Sequence, residues 1–150
     1  MRGTPLMLQL MVVYFGPYYL FGMRISTGYR MTAVLIGFAI NYAAYFAEIY
    51  RGGIEAIPVG QYEAAKVLGY SKSQTFFRIV FPQVCKHILP AVTNEIITLL
   101  KDTSLAFVLA VTEMFTMAKQ IAAAQTSMVP YIAAGIFYYV FNLLVAMIME

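Results

Sequence analysis

Charge is what this chain has least of: 11% of its 150 residues are Asp, Glu, Lys or Arg, against roughly 25% in an ordinary soluble domain. A chain this poor in polar groups cannot cover itself with a hydrated surface, which excludes an ordinary soluble globular fold. The charges also leave long gaps, with none between Thr4 and Met23, none between Met31 and Ala47, and none between Gln120 and Met149. Each gap meets or approaches the roughly 20 residues that a helix needs to cross about 30 Å of hydrocarbon. A membrane barrel would instead alternate in segments of about ten residues. These runs are apolar on both faces, so helices are expected.

Cysteine and histidine are almost as scarce. Cys85 stands alone, so no disulfide closes within the chain and no CxxC pattern exists for redox chemistry or zinc; it reads as a small filler at a membrane boundary. With His87 the single histidine, neither a zinc-protease helix nor a Cys/His nucleophile pair has support. No catalytic or metal-ligating residue is expected, and the chain does not read as an enzyme. No Gly-Lys pair occurs, which excludes the phosphate-cradling loop of a chain that hydrolyses its own ATP. The net charge of +3 comes from scattered basic residues rather than a stripe, so nucleic acid is not an expected partner.

What is present reads as a series of spans. The first runs from Thr4 to Phe21, with Pro17 expected to kink or end it, and a polar turn holding Ser26, Thr27 and Gly28 follows. A second covers Met31 to Tyr50. From Arg51 to His87 the chain turns polar, with Arg51, Lys66, Lys72, Arg78 and Lys86 against Glu55 and Glu63; the positive-inside rule puts this loop in the cytoplasm. Arg24 and Arg30 then fall outside, against the rule. A third apolar segment, Ile88 to Val111, is interrupted by Asn94, Glu95, Lys101 and Asp102. Thr112 to Thr126 fits a short interfacial or re-entrant helix, and a last span starts near Pro130, tolerated in a first helical turn, and runs to Met149. Both chain ends are abrupt, as expected of a truncated unit. Asn41 and Asn142 are lone polar residues within spans and are expected to make interhelical hydrogen bonds.

The polar loop is expected to fold. Pro58 opens a helix and Gly69 closes it in the left-handed conformation. Ser71 and Gln74 form a capping box for a second short helix that ends before Pro82. The first helix presents Glu63, Ala64 and Ala65, short side chains beside an acid that suit close docking on a partner.

The spacing Glu63-Ala64-Ala65, Gly69, Ile79 and Pro82 resembles the EAA loop of ABC transporter permeases, with Phe81 where that pattern usually has Leu. Arg2-Gly3-Thr4-Pro5-Leu6, Glu48-Ile49-Tyr50-Arg51-Gly52-Gly53 and Lys101-Asp102-Thr103-Ser104-Leu105 narrow the resemblance to the polar amino acid permease family. It implies an all-α, multi-spanning transmembrane domain of the type I importer kind, with residues 51–87 as a cytoplasmic coupling loop. It also implies a five-helix unit from which this chain lacks the first helix and the basic C-terminal tail. By the same resemblance the protein sits in the cytoplasmic membrane of a bacterium and binds no cofactor itself, with ATP and Mg on a partner ABC ATPase dimer. A second permease subunit, the same or a sibling, and an extracytoplasmic amino acid binding protein would complete the complex.

One further pattern lies inside the membrane. At 100° per residue, Asn94, Glu95, Thr98, Lys101 and Asp102 share about a third of a helix circumference, and charges within a span usually face a cavity or a partner. Asn94, Glu95, Thr98 and Asp102 are therefore candidate substrate-path residues. A framework role stays open for Asn94 and Glu95, and is the better fit for Lys101 and Asp102.

Overall fold

The computed structural model describes residues 3–26 and 28–149, so Arg2 of the first motif and Thr27 of the first turn lie outside the described residues. Among the described residues the chain is helical without strands. Helix α1 spans Leu6–Phe21, α2 Tyr29–Glu55, α3 Val59–Val67 and α4 Lys72–Thr75. A π-helical turn, Phe76–Val80, joins α4 to α5, Phe81–Asp102; a 3-10 segment, Thr103–Leu109, then leads to α6, Met114–Gln125, and α7, Val129–Met149.

Pro17 does not end α1. A proline inside a helix deprives the carbonyl four residues earlier of its donor, here that of Val13, and the Tyr29 hydroxyl of α2 donates to this oxygen at 3.2 Å. The helix continues to Phe21 and stops at Gly22, whose φ of 65° provides a left-handed cap.

Glycines in α2 set its distance from its neighbours. At Gly37 a Cβ would lie 2.6 Å from Leu10 Cδ2, and at Gly53 it would overlap Ile88. Leu10 is fully buried and anchors a core with Leu6, Ala33, Val34, Tyr42, Ala106 and Leu109. A smaller cluster of Ile57, Val80 and Val84 with Ile88 ties the hairpin to the helices.

Two elements differ from the sequence expectation. The second hairpin helix does not end before Pro82: α4, the π turn and α5 are continuous, and Pro82 follows directly after the π turn, at the start of α5. The third apolar segment is not one span to Val111, because α5 ends at Asp102. There the Thr103 and Ser104 hydroxyls donate to the carbonyls of Leu100 and Lys101 at 2.6 and 2.8 Å, which satisfies the open end of the helix.

Helix α6 is the short helix expected after Thr112; the Glu113 carboxylate caps it, accepting from the N–H groups of Phe115 and Thr116 at 2.6 and 2.7 Å. Among the described residues two helices, α2 and α7, are long and apolar enough to cross a membrane. Helix α7 buries none of its residues in this chain, so its apolar surface suits lipid or another membrane helix.

Candidate functional site

The hairpin forms largely as its residues dictate. Pro58 stands just before α3 rather than inside its first turn. Gly69, at φ 75°, lets its own N–H reach the Lys66 carbonyl at 3.1 Å and that of Tyr70 reach Ala65 at 3.0 Å. The capping box is complete: the Gln74 N–H donates to Ser71 Oγ at 3.3 Å, and the Ser71 N–H to Gln74 Oε1 at 2.9 Å. Across the hairpin, Gln83 Nε2 donates to the Ile79 carbonyl at 2.8 Å and to Gln61 Oε1 at 3.4 Å.

The Glu63-Ala64-Ala65 triplet divides between two surfaces. Glu63 and Ala64 are exposed on the open side of α3, whereas Ala65 is fully buried against the hairpin. Ile79 is half-buried in the π turn, and Pro82 is exposed.

The second site is a cavity of about 460 Å³ between three helices. Thr4 and Pro5 at the entrance to α1, Asn41, Tyr42 and Tyr45 of α2, and Glu95, Thr98 and Asp102 of α5 line it. Tyr42 is the central residue of α2, so α1 begins and α5 ends at the level of that helix's midpoint. The buried Tyr42 hydroxyl donates to Asp102 Oδ2 at 2.7 Å and joins α2 to α5. The Thr98 hydroxyl donates to the Asn94 carbonyl at 2.9 Å.

Of the candidate path residues, Glu95, Thr98 and Asp102 thus come together and Asn94 does not. Asn94 is exposed and lines a separate cleft with Lys86, Thr93, Ala146 and Met149. Helical periodicity put all of them on one broad face, but α2 covers one edge of it and α7 the other. Of the two lone asparagines, the buried Asn41 opens on the cavity. Asn142 Oδ1 is buried without a hydrogen-bond partner among the described residues. Sequence reasoning missed Tyr42 and Tyr45 as cavity residues; their tyrosine spacing carried no sign of a partner on α5.

A family model described as "Binding-protein-dependent transport system inner membrane component" matches residues 1–150. The chain belongs to that family. Within it, the chain is similar to the arginine transport system permease protein ArtQ of Bacillus subtilis, 41% identical over 98% of this chain and 66% of the relative. It is also similar to the L-cystine transport system permease protein TcyB of the same organism, 36% identical over 98% of this chain and 62% of the relative. A solved structure, "Crystal structure of an amino acid ABC transporter with histidines", matches with a TM-score of 0.83 at 37% identity, covering 99% of this chain and 68% of that one. The chain therefore spans less than two thirds of the first relatives' length, with the all-α type I permease fold and a membrane location.

Proposed function

We propose that this chain is a membrane-spanning subunit of an ATP-binding cassette importer for polar amino acids, crossing the cytoplasmic membrane of a bacterium several times. The observation that carries this reading is the cavity where the start of α1, the midpoint of α2 and the end of α5 meet. Helix ends that converge on a polar cavity part-way along a span are how many transporters hold cargo away from lipid. A free amino acid brings an ammonium and a carboxylate. Glu95 and Asp102 suit the cation, and the start of α1, with its N–H groups and partial positive charge, suits the anion. Glu95, Thr98 and Asp102 are the path residues on this reading, joined by Asn41 and Tyr45; Asn94 lies on another surface. The names of the relatives, which include arginine and cystine transport, support polar amino acids as cargo.

Energy enters from a separate ATPase dimer that carries ATP and Mg, through Glu63, Ala64, Ala65, Gly69, Ile79 and Pro82 of the hairpin. Glu63 and Ala64 offer the contact, and the cap at Gly69 and the helix through Ile79 and Pro82 relay movement to α5. A second permease subunit and an extracytoplasmic binding protein complete the assembly, and the subunit itself performs no covalent chemistry. The full-length protein, reconstituted in vesicles with its ATPase and binding protein, is expected to accumulate a labelled amino acid only when ATP is supplied. Equal uptake without ATP would make it a channel and overturn the reading.

A further inference from the structure

We propose that the helix leaving the hairpin carries a second docking surface, for anionic phospholipid headgroups, built from Phe77 and Phe81 together with the exposed cations of the same stretch, Lys72, Arg78 and Lys86. This rests on the reading that the hairpin lies at the cytoplasmic side of the bilayer, and it concerns a different arm of the hairpin from Glu63 and Ala64.

Phe77 is 65% exposed and Phe81 48% exposed. The π turn explains why these rings gather. In an α-helix the neighbours of Phe81 one turn back would be Phe77 and Arg78. Widening the turn to the i−5 spacing brings Phe76 and Phe77 beside Phe81 instead, with centroids 6.1 and 6.4 Å away, and leaves Arg78 exposed.

An adjoining side of the same stretch, Val80 and Val84 with Ile88, is buried against the hairpin and Gly53. The exposed side continues as Phe77, Phe81, Cys85 and Leu89, one row in steps of four. At 1.5 Å per residue this row is about 18 Å long, enough to run from hydrocarbon into the headgroup layer.

Charge selects the lipid. No Asp or Glu occurs between Ala64 and Asn94, while Lys66, Lys72, Arg78 and Lys86 fall there, all exposed. Basic side chains beside a span are drawn to anionic headgroups, and an apolar ring row flanked by cations is the pattern of an interfacial anchor. The coupling hairpin would then be seated on the membrane by one arm while the other meets the ATPase.

The 150 residues hold no tryptophan, so Phe77→Trp gives a local fluorescent reporter. It is read in the full-length permease assembled with its ATPase in phosphatidylcholine vesicles with and without phosphatidylglycerol, after subtraction of the parent complex. With phosphatidylglycerol present, the reporter is expected to lose most of its emission to brominated acyl chains and little to aqueous acrylamide; without it, the bromolipid quenching is expected to fall. Quenching by acrylamide alone, shielding that vanishes when the ATPase is removed, or bromolipid quenching indifferent to phosphatidylglycerol would each overturn the proposal. Tyr139→Trp, at a 70% exposed position of the apolar α7, separates the two levels. Bromolipid quenching there but not at Phe77 sinks only the headgroup surface, and quenching at Tyr139 by aqueous acrylamide in place of bromolipid sinks the spanning role of α7.

Discussion

Asp102 was legible as one member of a polar helical face, but not as half of a pair, because Tyr42 stands sixty positions earlier and no local pattern links them. In the fold the Tyr42 hydroxyl donates a hydrogen bond to that carboxylate, at 2.7 Å. A hydrogen bond to a charged group contributes about 1.5–3 kcal/mol, and leaving the partner unsatisfied costs a similar amount. Tyr42→Phe is therefore expected to destabilise the full-length protein by about 1.5–3 kcal/mol, seen as a lower unfolding midpoint in detergent. In an Asp102→Asn background the same substitution is expected to cost less, since the charge it would strand is gone. A double-mutant cycle reads the difference; strictly additive losses would mean that the pair does not couple α2 to α5.

At the scale of elements, what the sequence made legible was local chemistry. The Ser71/Gln74 box and the Gly69 cap involve residues a few positions apart, and both formed. The π turn was not legible, because Pro82 reads equally as a helix stop or as a first-turn residue, and only packing of Val80 and Val84 beneath the hairpin decides. Gly69 has open space within this chain where a side chain would go, so the fold asks of it the positive φ. Left-handed backbone costs a non-glycine residue about 1–2 kcal/mol, and Asn tolerates it best. Gly69→Leu is expected to reduce uptake per ATP hydrolysed, while Gly69→Asn keeps most of it. Wild-type coupling in Gly69→Leu would remove the cap from the transmission route. Equal failure of both variants would point to contact at that surface rather than backbone strain.

Across the whole molecule, composition disclosed a helical membrane unit, and the apolar runs between charges found helices α1, α2 and α7 to within a few residues, because lipid imposes a length and a polarity on a helix that crosses it. The cavity needed the fold: α1 starting and α5 ending beside the midpoint of α2 is a non-local arrangement, and it admits Glu95 while leaving Asn94 on the α7 side. Within the cavity Asp102 is already engaged by Tyr42, whereas among the described residues no hydrogen bond or ion pair ties the half-buried Glu95 side chain to another helix, so it is the carboxylate best able to meet a cation. Glu95→Gln keeps the shape and removes the charge. Relative to neutral amino acids, apparent affinity for cationic ones is expected to fall about tenfold, the equivalent of roughly 1.4 kcal/mol, measured as competition against labelled uptake by the reconstituted complex. Asn94→Ala in the same assay is expected to leave the ranking of substrates unchanged. An unaltered panel in Glu95→Gln would assign that carboxylate to the framework, and the cavity would then select cargo by shape and by its remaining polar groups.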